Sequence, residues 1–421
     1  MTITTTSMRI IYTIGIYLYA LGIRMAALFG HAKARQMVEG WKHWPEQVAK
    51  LSHERPTAWF HAASLGEFEQ ARPVLEAYRL RHPESQVLVT FFSPSGYEVR
   101  KNYAQADAVC YLPMDTPRNV RRFLDAVHPD MVFFVKYEFW YNYLNALRNR
   151  GTMTYIFSAI FRPEQYFFQW YGGWFLRQIG FSFQHLFVQN EESLQLLKSH
   201  GINHCSIAGD TRFDRVHQIA QAAEKDAVAE RFLAGHEGPV LVAGSTWPPD
   251  EELLAETLAQ QPTLKAIIAP HMIGEEHLQQ IERTFPGSAR YSRFPSHTGD
   301  TRILIIDNIG LLSKLYRYAT VAYIGGGFGV GIHNILEAVT FGKPVFFGPN
   351  YRKFQEAHDI IARGGGWSVG PTVAAARPTF GARLAELLDN PSALQRATEA
   401  CRQYMQQNLG STDKILNTIE K

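Results

Sequence analysis

Short apolar runs alternate with amphipathic stretches in two successive series, and this pattern constrains the chain more than any other feature. The first series of runs covers residues 58–62, 87–92, 108–112, 131–135, 154–158 and 185–188. Helix-like stretches such as 69–81 and 120–127 lie between them. Strands that read as continuous apolar runs between helices predict a parallel sheet covered on both faces. A second series follows at 240–243, 265–269, 303–306, 321–324 and 344–347, after a polar helical stretch at roughly 215–236. A chain of 421 residues is too long for one ordinary core, so each series predicts its own α/β domain. No repeat of fixed period interrupts the two series.

Composition narrows the function. Apolar residues at 46% and charged residues at 19% describe a folded chain. A net charge of +3 argues against a nucleic-acid partner, which calls for a clear basic excess. The three cysteines, Cys110, Cys205 and Cys401, form no CxxC pair and no Cys/His group at zinc spacing. They predict buried thiols in a reducing compartment, with no metal site.

The N-terminus is different in kind. Residues 10–23 are almost wholly apolar or aromatic, Arg24 interrupts, and 25–29 are apolar again. A bilayer span needs about 20 apolar residues, so the stretch is marginal. Tyrosines among its aliphatics, and Arg9, Arg24, Lys33 and Arg35 around it, suit a helix held at the headgroup level. A cleaved signal peptide, with Ala32-Lys33-Ala34 as its cleavage site, and an ordinary packed helix are the alternatives.

Ligands in parallel α/β sheets bind at the carboxyl ends of strands, and the candidate residues collect there. The richest segment is Y-I-G-G-G-F-G-V-G-I-H-N-I-L-E, from Tyr323 to Glu337. Gly325, Gly326, Gly327, Gly329 and Gly331 would let backbone N–H groups approach a phosphate, with a helix N-terminus behind them. His333 and Glu337 are expected on one face of that helix, with Asn334 beside them. The competing reading is a tight strand-to-helix turn. After the first strand, Ser64, Gly66 and Glu67 offer a carboxylate placed as a general base, or else a residue that merely favours the helix dipole. Ser93, Ser95 and Gly96 suit sugar contacts and equally suit an N-cap turn. Glu138 in K-Y-E-F-W ends another strand, and Arg212 in G-D-T-R-F-D would pair with an anionic substrate or with Asp210 or Asp214. In the second series, Ser245, Thr246, Pro270, His271 and the Gly348-Pro349-Asn350 turn occupy equivalent strand ends.

Taken in order, these segments resemble the 3-deoxy-D-manno-octulosonic acid (Kdo) transferases. The resemblance is carried by the apolar N-terminus, H-A-A-S-L-G-E-F-E, T-F-F-S-P-S-G, Y-L-P-M-D-T-P, V-K-Y-E-F-W-Y-N, G-D-T-R-F-D, A-G-S-T-W, D-N-I-G-L-L-S-K-L-Y, G-G-G-F-G-V-G-I-H-N-I-L-E-A and F-G-P-N. It implies a GT-B fold, two Rossmann-like domains with a cleft between them. It also implies a CMP-Kdo donor, a lipid A precursor (lipid IVA) as acceptor, inversion at the anomeric carbon and work at the cytoplasmic face of an inner membrane, with no cofactor. The implied organisation is a membrane anchor or interfacial helix at 1–34, an acceptor domain at 35–208, a donor domain at 209–395 and a helix crossing back at 396–421. Glu67 matches the family's general base. The glycine loop with His333, Asn334 and Glu337 matches its CMP site, and Ser245, Thr246, Pro270 and His271 match other donor contacts. Departures occur at Pro270-His271, where the family often has Pro-Arg-His, and at Gly331-Ile332, where it often has Gly-Gly. Lys353-Phe354 stands where Asn-Phe is frequent, and Arg162 stands near an altered serine motif at Ser158. Rival readings are a GT-B enzyme using a UDP-sugar and a non-catalytic membrane adaptor.

Overall fold

The computed structural model describes residues 5–170, 172–296 and 301–421, so the expected anchor is seen from residue 5 onward. The chain divides into two compact units, Met1–Arg215 with Gly410–Lys421, and Val216–Leu409.

The first unit opens with α1 (Thr5–Leu28) and α2 (Ala32–Val48). Strands β1 (Thr57–Ala62), β2 (Gln86–Phe91), β3 (Ala108–Tyr111), β4 (Met131–Val135), β5 (Met153–Ala159), β6 (His185–Val188) and β7 (Cys205–Ile207) then alternate with helices. These helices are α3 (Leu65–Arg81), α4 (Pro94–Arg100), α5 (Pro117–Val127), α6 (Tyr141–Arg150), α7 (Gly173–Ser182) and α8 (Glu191–Ser199). The seven strands order as β3-β2-β1-β4-β5-β6-β7, and every pairing is parallel. The strand order reverses between β1 and β4, the crevice where such folds hold ligands. β1 is buried at every position, Trp59 and Phe60 pointing to opposite faces, as a sheet with helices on both sides requires.

Helix α9 (Arg212–Ala222) carries the chain onward. In the second unit α10 (Ala227–Leu233), β8 (Val240–Thr246), α11 (Pro248–Gln260), β9 (Lys265–Pro270), α12 (Glu275–Thr284), β10 (Ala289–Arg290), β11 (Ile303–Ile305), α13 (Leu312–Leu315), β12 (Val321–Ile324), α14 (Leu336–Val339), β13 (Val345–Phe347), α15 (Gln355–Ala362), β14 (Gly366–Ser368), α16 (Val373–Asp389) and α17 (Pro391–Asn408) follow. The sheet order is β10-β11-β9-β8-β12-β13-β14, again parallel, with its reversal between β8 and β12.

The last helix, α18 (Ser411–Ile419), belongs to the first unit. Asp214 fixes it: its carboxylate accepts the N–H groups of Gly410 (2.8 Å) and Thr412 (2.7 Å) and the Thr412 hydroxyl (2.7 Å). Gly410, at φ 88°, supplies the left-handed turn that separates α17 from α18. The return therefore begins at Gly410 and not at residue 396, and the unit boundary falls at Arg215 and not at 208. The three cysteines are buried and unpaired by disulfides.

Helix α1 packs one stripe and exposes another. Tyr12, Ile16, Ala20 and Ile23 lie against Met114, Trp41, Phe92 and Trp140. The Tyr12 hydroxyl donates to the buried Asp115 carboxylate at 2.7 Å and accepts the Tyr141 N–H at 3.2 Å. Asp115 also accepts the Asn142 and Tyr143 N–H groups at the start of α6. Burial pushes the Asp115 carboxyl up to about 7, against the pull of these three hydrogen bonds. On the other stripe Ile11, Ile14, Leu18, Leu21 and Leu28 remain exposed, Leu18 to 63%.

Candidate functional site

In the first unit the site grows from the ends of β1, β2 and β4. Ser64 caps α3, its hydroxyl accepting the Glu67 N–H at 3.5 Å, while Glu67 Oε2 accepts the Ala63 N–H at 2.7 Å. The two bonds cap the start of α3 from the Ser64 side and tie Glu67 back to the residue before the cap, which fixes the Glu67 carboxylate over the strand end. Ser93 N–H donates to the Ala63 carbonyl at 2.7 Å and so ties the β2 loop to the β1 loop. Ser93 and Ser95 share a hydrogen bond at 3.0 Å beside it. Gly66 is exposed with open space where a Cβ would stand. Gly96 is not a surface contact: a Cβ there would sit 2.2 Å from the Phe91 ring, so this glycine serves the packing of α4 on β2.

Glu138 arrives from the end of β4. Its Oε2 accepts Trp140 Nε1–H at 2.7 Å and faces His61 Nε2 at 3.3 Å. His61 is buried, and its Nδ1 lies 2.8 Å from Thr90 Oγ1, which also accepts Trp59 Nε1–H at 2.7 Å. A carboxylate can only accept, so the His61 Nε2–H donates to Glu138. The Glu67 carboxyl is raised above the usual range, first by burial and then by the Glu138 charge. Lys136, at φ 59°, and Ser158, at φ 50°, hold left-handed backbone at the neighbouring strand ends, a strained geometry that clusters at functional sites. Burial raises the Tyr137 hydroxyl, and the charge and hydrogen bond of Arg162 pull it partly back. Arg212 itself is paired with Asp210 through Nε at 2.8 Å and Nη2 at 2.8 Å, and Gln70 steadies the same carboxylate.

In the second unit the ends of β8, β9, β12 and β13 converge. Ser245, at φ 53°, begins a bulge that ends β8, and the buried Thr246 hydroxyl donates to Glu251 at 3.0 Å. The His271 N–H donates to the Thr246 carbonyl at 2.9 Å, so Pro270 and His271 join the β8 end. Asp250 gathers the rest: it accepts Trp247 N–H (3.0 Å), the Tyr323 hydroxyl (2.8 Å) and Gly326 N–H (2.9 Å). Desolvation raises its carboxyl, and the three donors offset part of that cost. A Cβ on Gly325 would stand 2.2 Å from the Ser245 carbonyl oxygen, and one on Gly327 2.6 Å from Gly348 Cα. Backbone packs on backbone here, and only glycine permits it. Asn350 closes the loop through Nδ2–H to Gly329 O (2.7 Å) and N–H to Gly327 O (2.9 Å).

One expectation fails in this loop. His333 and Glu337 do not share a helix face, because residues 331–334 are non-helical and α14 covers only Leu336–Val339. Gly331, at φ 120°, turns the chain, and Asn334 Oδ1 accepts the Leu336 N–H at 3.1 Å while its amide meets Glu337 at 3.3 Å. A single turn has almost no macrodipole, so any anion here is met by loop N–H groups and side chains. His333 joins a row of rings instead: Trp247 stacks on His271 (4.8 Å), and His271 lies 4.6 Å from His333. Burial and the neighbouring His271 lower the His333 pKa, which favours the neutral ring.

Sequence reasoning passed over His61, Trp247 and Asp250. The acid three residues after Trp247 was the available sign, since an N-terminal carboxylate commonly caps a turn. Among the described residues no group of three or more His, Cys, Asp or Glu converges as a metal site would require.

Residues 42–215 match the family model of 3-deoxy-D-manno-octulosonic-acid transferase (kdotransferase). The chain is 26% identical over 323 residues to the 3-deoxy-D-manno-octulosonic acid transferase of Aquifex aeolicus, covering 75% of this chain and 82% of that one. It is 27% identical over 385 residues to that of Bordetella pertussis, covering 86% of each. Among solved structures it is similar to UDP-GlcNAc 2-epimerase from Neisseria meningitidis (TM-score 0.61, 16% identity, 86% of this chain and 99% of that one). It is similar also to a putative UDP-N-acetylglucosamine 2-epimerase from Listeria monocytogenes (TM-score 0.57, 14% identity, 87% and 96%). At such identities these structures speak for the fold alone, two parallel-sheet α/β domains of the GT-B kind. With residues 42–215 matched to that family model and the Aquifex and Bordetella relatives aligned along most of their length, the chain is a glycosyltransferase similar to the Kdo transferases.

Proposed function

We propose that this chain transfers Kdo from CMP-Kdo to a lipid A precursor with inversion, at the cytoplasmic face of an inner membrane. The observation that carries the reading is the carboxylate pair at the β1/β4 reversal. Glu67 is held by Ala63 N–H through one oxygen, which leaves the other for an acceptor hydroxyl. Its raised pKa makes it a stronger base near neutral pH. The hydroxyl oxygen, as its proton passes to Glu67, attacks the anomeric carbon from the side opposite the phosphate. CMP leaves, and its growing charge is met by glycine-loop N–H groups and by neutral His333. Ser64, Gly66, Ser93, Ser95, Glu138 and Arg212 are assigned to substrate contact or its support, and Gly96 is not. No resident cofactor enters the scheme.

The outer stripe of α1 supports the membrane location. The helix is long and apolar enough to cross a bilayer. Its inner stripe, however, is bonded to the first unit through Tyr12 and Asp115, and crossing would sacrifice those contacts. A helix lying in the interface keeps them and buries the exposed stripe in lipid.

The test is CMP release from CMP-Kdo with lipid IVA in detergent, run beside a panel of UDP-sugars. Acceptor-dependent release from CMP-Kdo alone is expected. Turnover of a UDP-sugar, with none of CMP-Kdo, would overturn the donor assignment.

A further inference from the structure

A row of aromatic rings leads from α1 to the carboxylate pair. Tyr19 stacks on Phe92 with centroids 6.2 Å apart and planes at 18°. Phe92 packs on Trp140 at 5.0 Å and 39°, and Trp140 Nε1–H ends the row on Glu138 at 2.7 Å. The three rings come from α1, the residue after β2 and the residue before α6, so the row exists only in the folded unit. Its register is fixed by the Tyr12–Asp115 hydrogen bond, by the buried Ile16, one turn after Tyr12 and one turn before Tyr19, and by the buried Ala20 next to Tyr19. Tyr19 remains 49% exposed, although it is built into this contact. It stands where the packed stripe of the helix meets the apolar outer stripe, and its hydroxyl feels the Glu138 charge.

We propose that Tyr19, Phe92 and Trp140 form the acceptor-sugar subsite for a glycolipid, so that α1 is a wall of the active site as well as an anchor. The assignment rests on Glu67 being the base for that acceptor. The occupant must satisfy both ends of the row. At one end an apolar helix stripe asks for acyl chains. At the other a carboxylate pair asks for hydroxyls. The half-exposed Tyr19 ring suits the C–H face of a pyranose, with Phe92 and Trp140 backing it, and the indole and phenol are amphipathic groups that favour a boundary of this type. A free sugar would leave the helix stripe bare, and a second copy of the chain would leave the carboxylates unused. A glycolipid whose chains lie in the bilayer beside α1 meets both demands.

The test uses the full chain in nanodiscs with lipid IVA and CMP-Kdo. Tyr19→Ala is expected to raise KM for lipid IVA about five- to tenfold, the scale of one lost aromatic platform, with donor KM unchanged. Tyr19→Phe keeps the ring and is expected to keep the wild-type KM, which also reports that the helix still docks. Phe29→Ala is the matched control. It removes an 84% exposed ring about 15 Å further along the chain direction of the helix. It is expected to weaken vesicle flotation as much as Tyr19→Ala does and to leave the acceptor KM alone. Equal KM increases for Tyr19→Ala and Phe29→Ala would reduce α1 to an anchor and overturn the proposal. An unchanged KM in Tyr19→Ala would overturn it as well. Lipid IVA binding to Glu67→Gln, read by fluorescence without donor, separates the two layers. Ring-dependent binding with no Kdo transfer by the wild type would sink the donor reading and keep the subsite. Transfer with no ring dependence would do the reverse.

Discussion

The two strand-order reversals sit at equivalent places in two similar sheets, yet they are furnished differently. At β1/β4 the working groups are side chains: two carboxylates, a buried histidine and an arginine already paired with Asp210. At β8/β12 they are mainly backbone, with glycines 325 and 327 pressed against neighbouring main chain and Asp250 pinning the loop. The difference fits a division of labour. Moving a proton needs a titratable group whose pKa is set by burial and by a like charge. Holding a leaving phosphate needs fixed N–H dipoles that do not reorganise during the reaction. The first unit tunes a pKa and the second freezes a shape.

The sharpest way to break this comparison is Glu67→Gln. It is expected to lower kcat by roughly 10²- to 10⁴-fold, the range of a lost general base, with CMP-Kdo affinity unchanged by calorimetry. A large loss of donor affinity would show that the two reversals are not separable. Next in size are Gly325→Ala and Gly327→Ala. Their Cβ atoms would stand 2.2 Å and 2.6 Å from backbone atoms, so the loop must shift. We expect donor Kd to rise at least about tenfold, on the scale of 1.4 kcal/mol. Gly66→Ala, whose Cβ would meet no protein atom within 4 Å, is expected to leave stability within about 0.5 kcal/mol and the donor constant within about twofold, any larger change falling on the acceptor constant, the side to which Gly66 is assigned.

A subtler change is Glu138→Gln. Glu67 is raised by burial first and by the Glu138 charge second, so removing that charge lowers the Glu67 pKa. The acidic limb of the kcat/KM profile, where Glu67 loses its proton and gains activity, should move to lower pH. A limb that stays in place would mean the two carboxylates do not communicate. The smallest expected effect is that of a chelator: EDTA should leave transfer unchanged, and its abolition of activity would require a metal that the proposed scheme does not use.

Much of this architecture was legible in the sequence. The apolar runs at β1, β2, β4, β8, β9 and β12 are central strands, buried on both faces, and such strands announce themselves as unbroken apolar segments. β7, β10 and β14 gave no such sign. They are edge strands of two or three residues, too short for a pattern to form. The glycine loop was also legible, because close backbone approach leaves a compositional mark. The helix expected behind it is only the single turn Leu336–Val339, since the turn at Gly331 and the Asn334 cap delay helical hydrogen bonding to Leu336.

The sequence by itself determined two doubly wound sheets and the strand ends at which candidate residues gather, with Glu67 among them readable as a base or as a residue that merely favours the helix dipole. These follow from local periodicity and from residue types confined to a few neighbouring positions. Only the tertiary structure decided what surrounds them. Glu138 and His61 are 77 positions apart, Tyr12 and Asp115 103, and Gly410 reaches back to Asp214. Burial and the like charge that tune Glu67 are likewise properties of packed neighbours, and no window of sequence contains them.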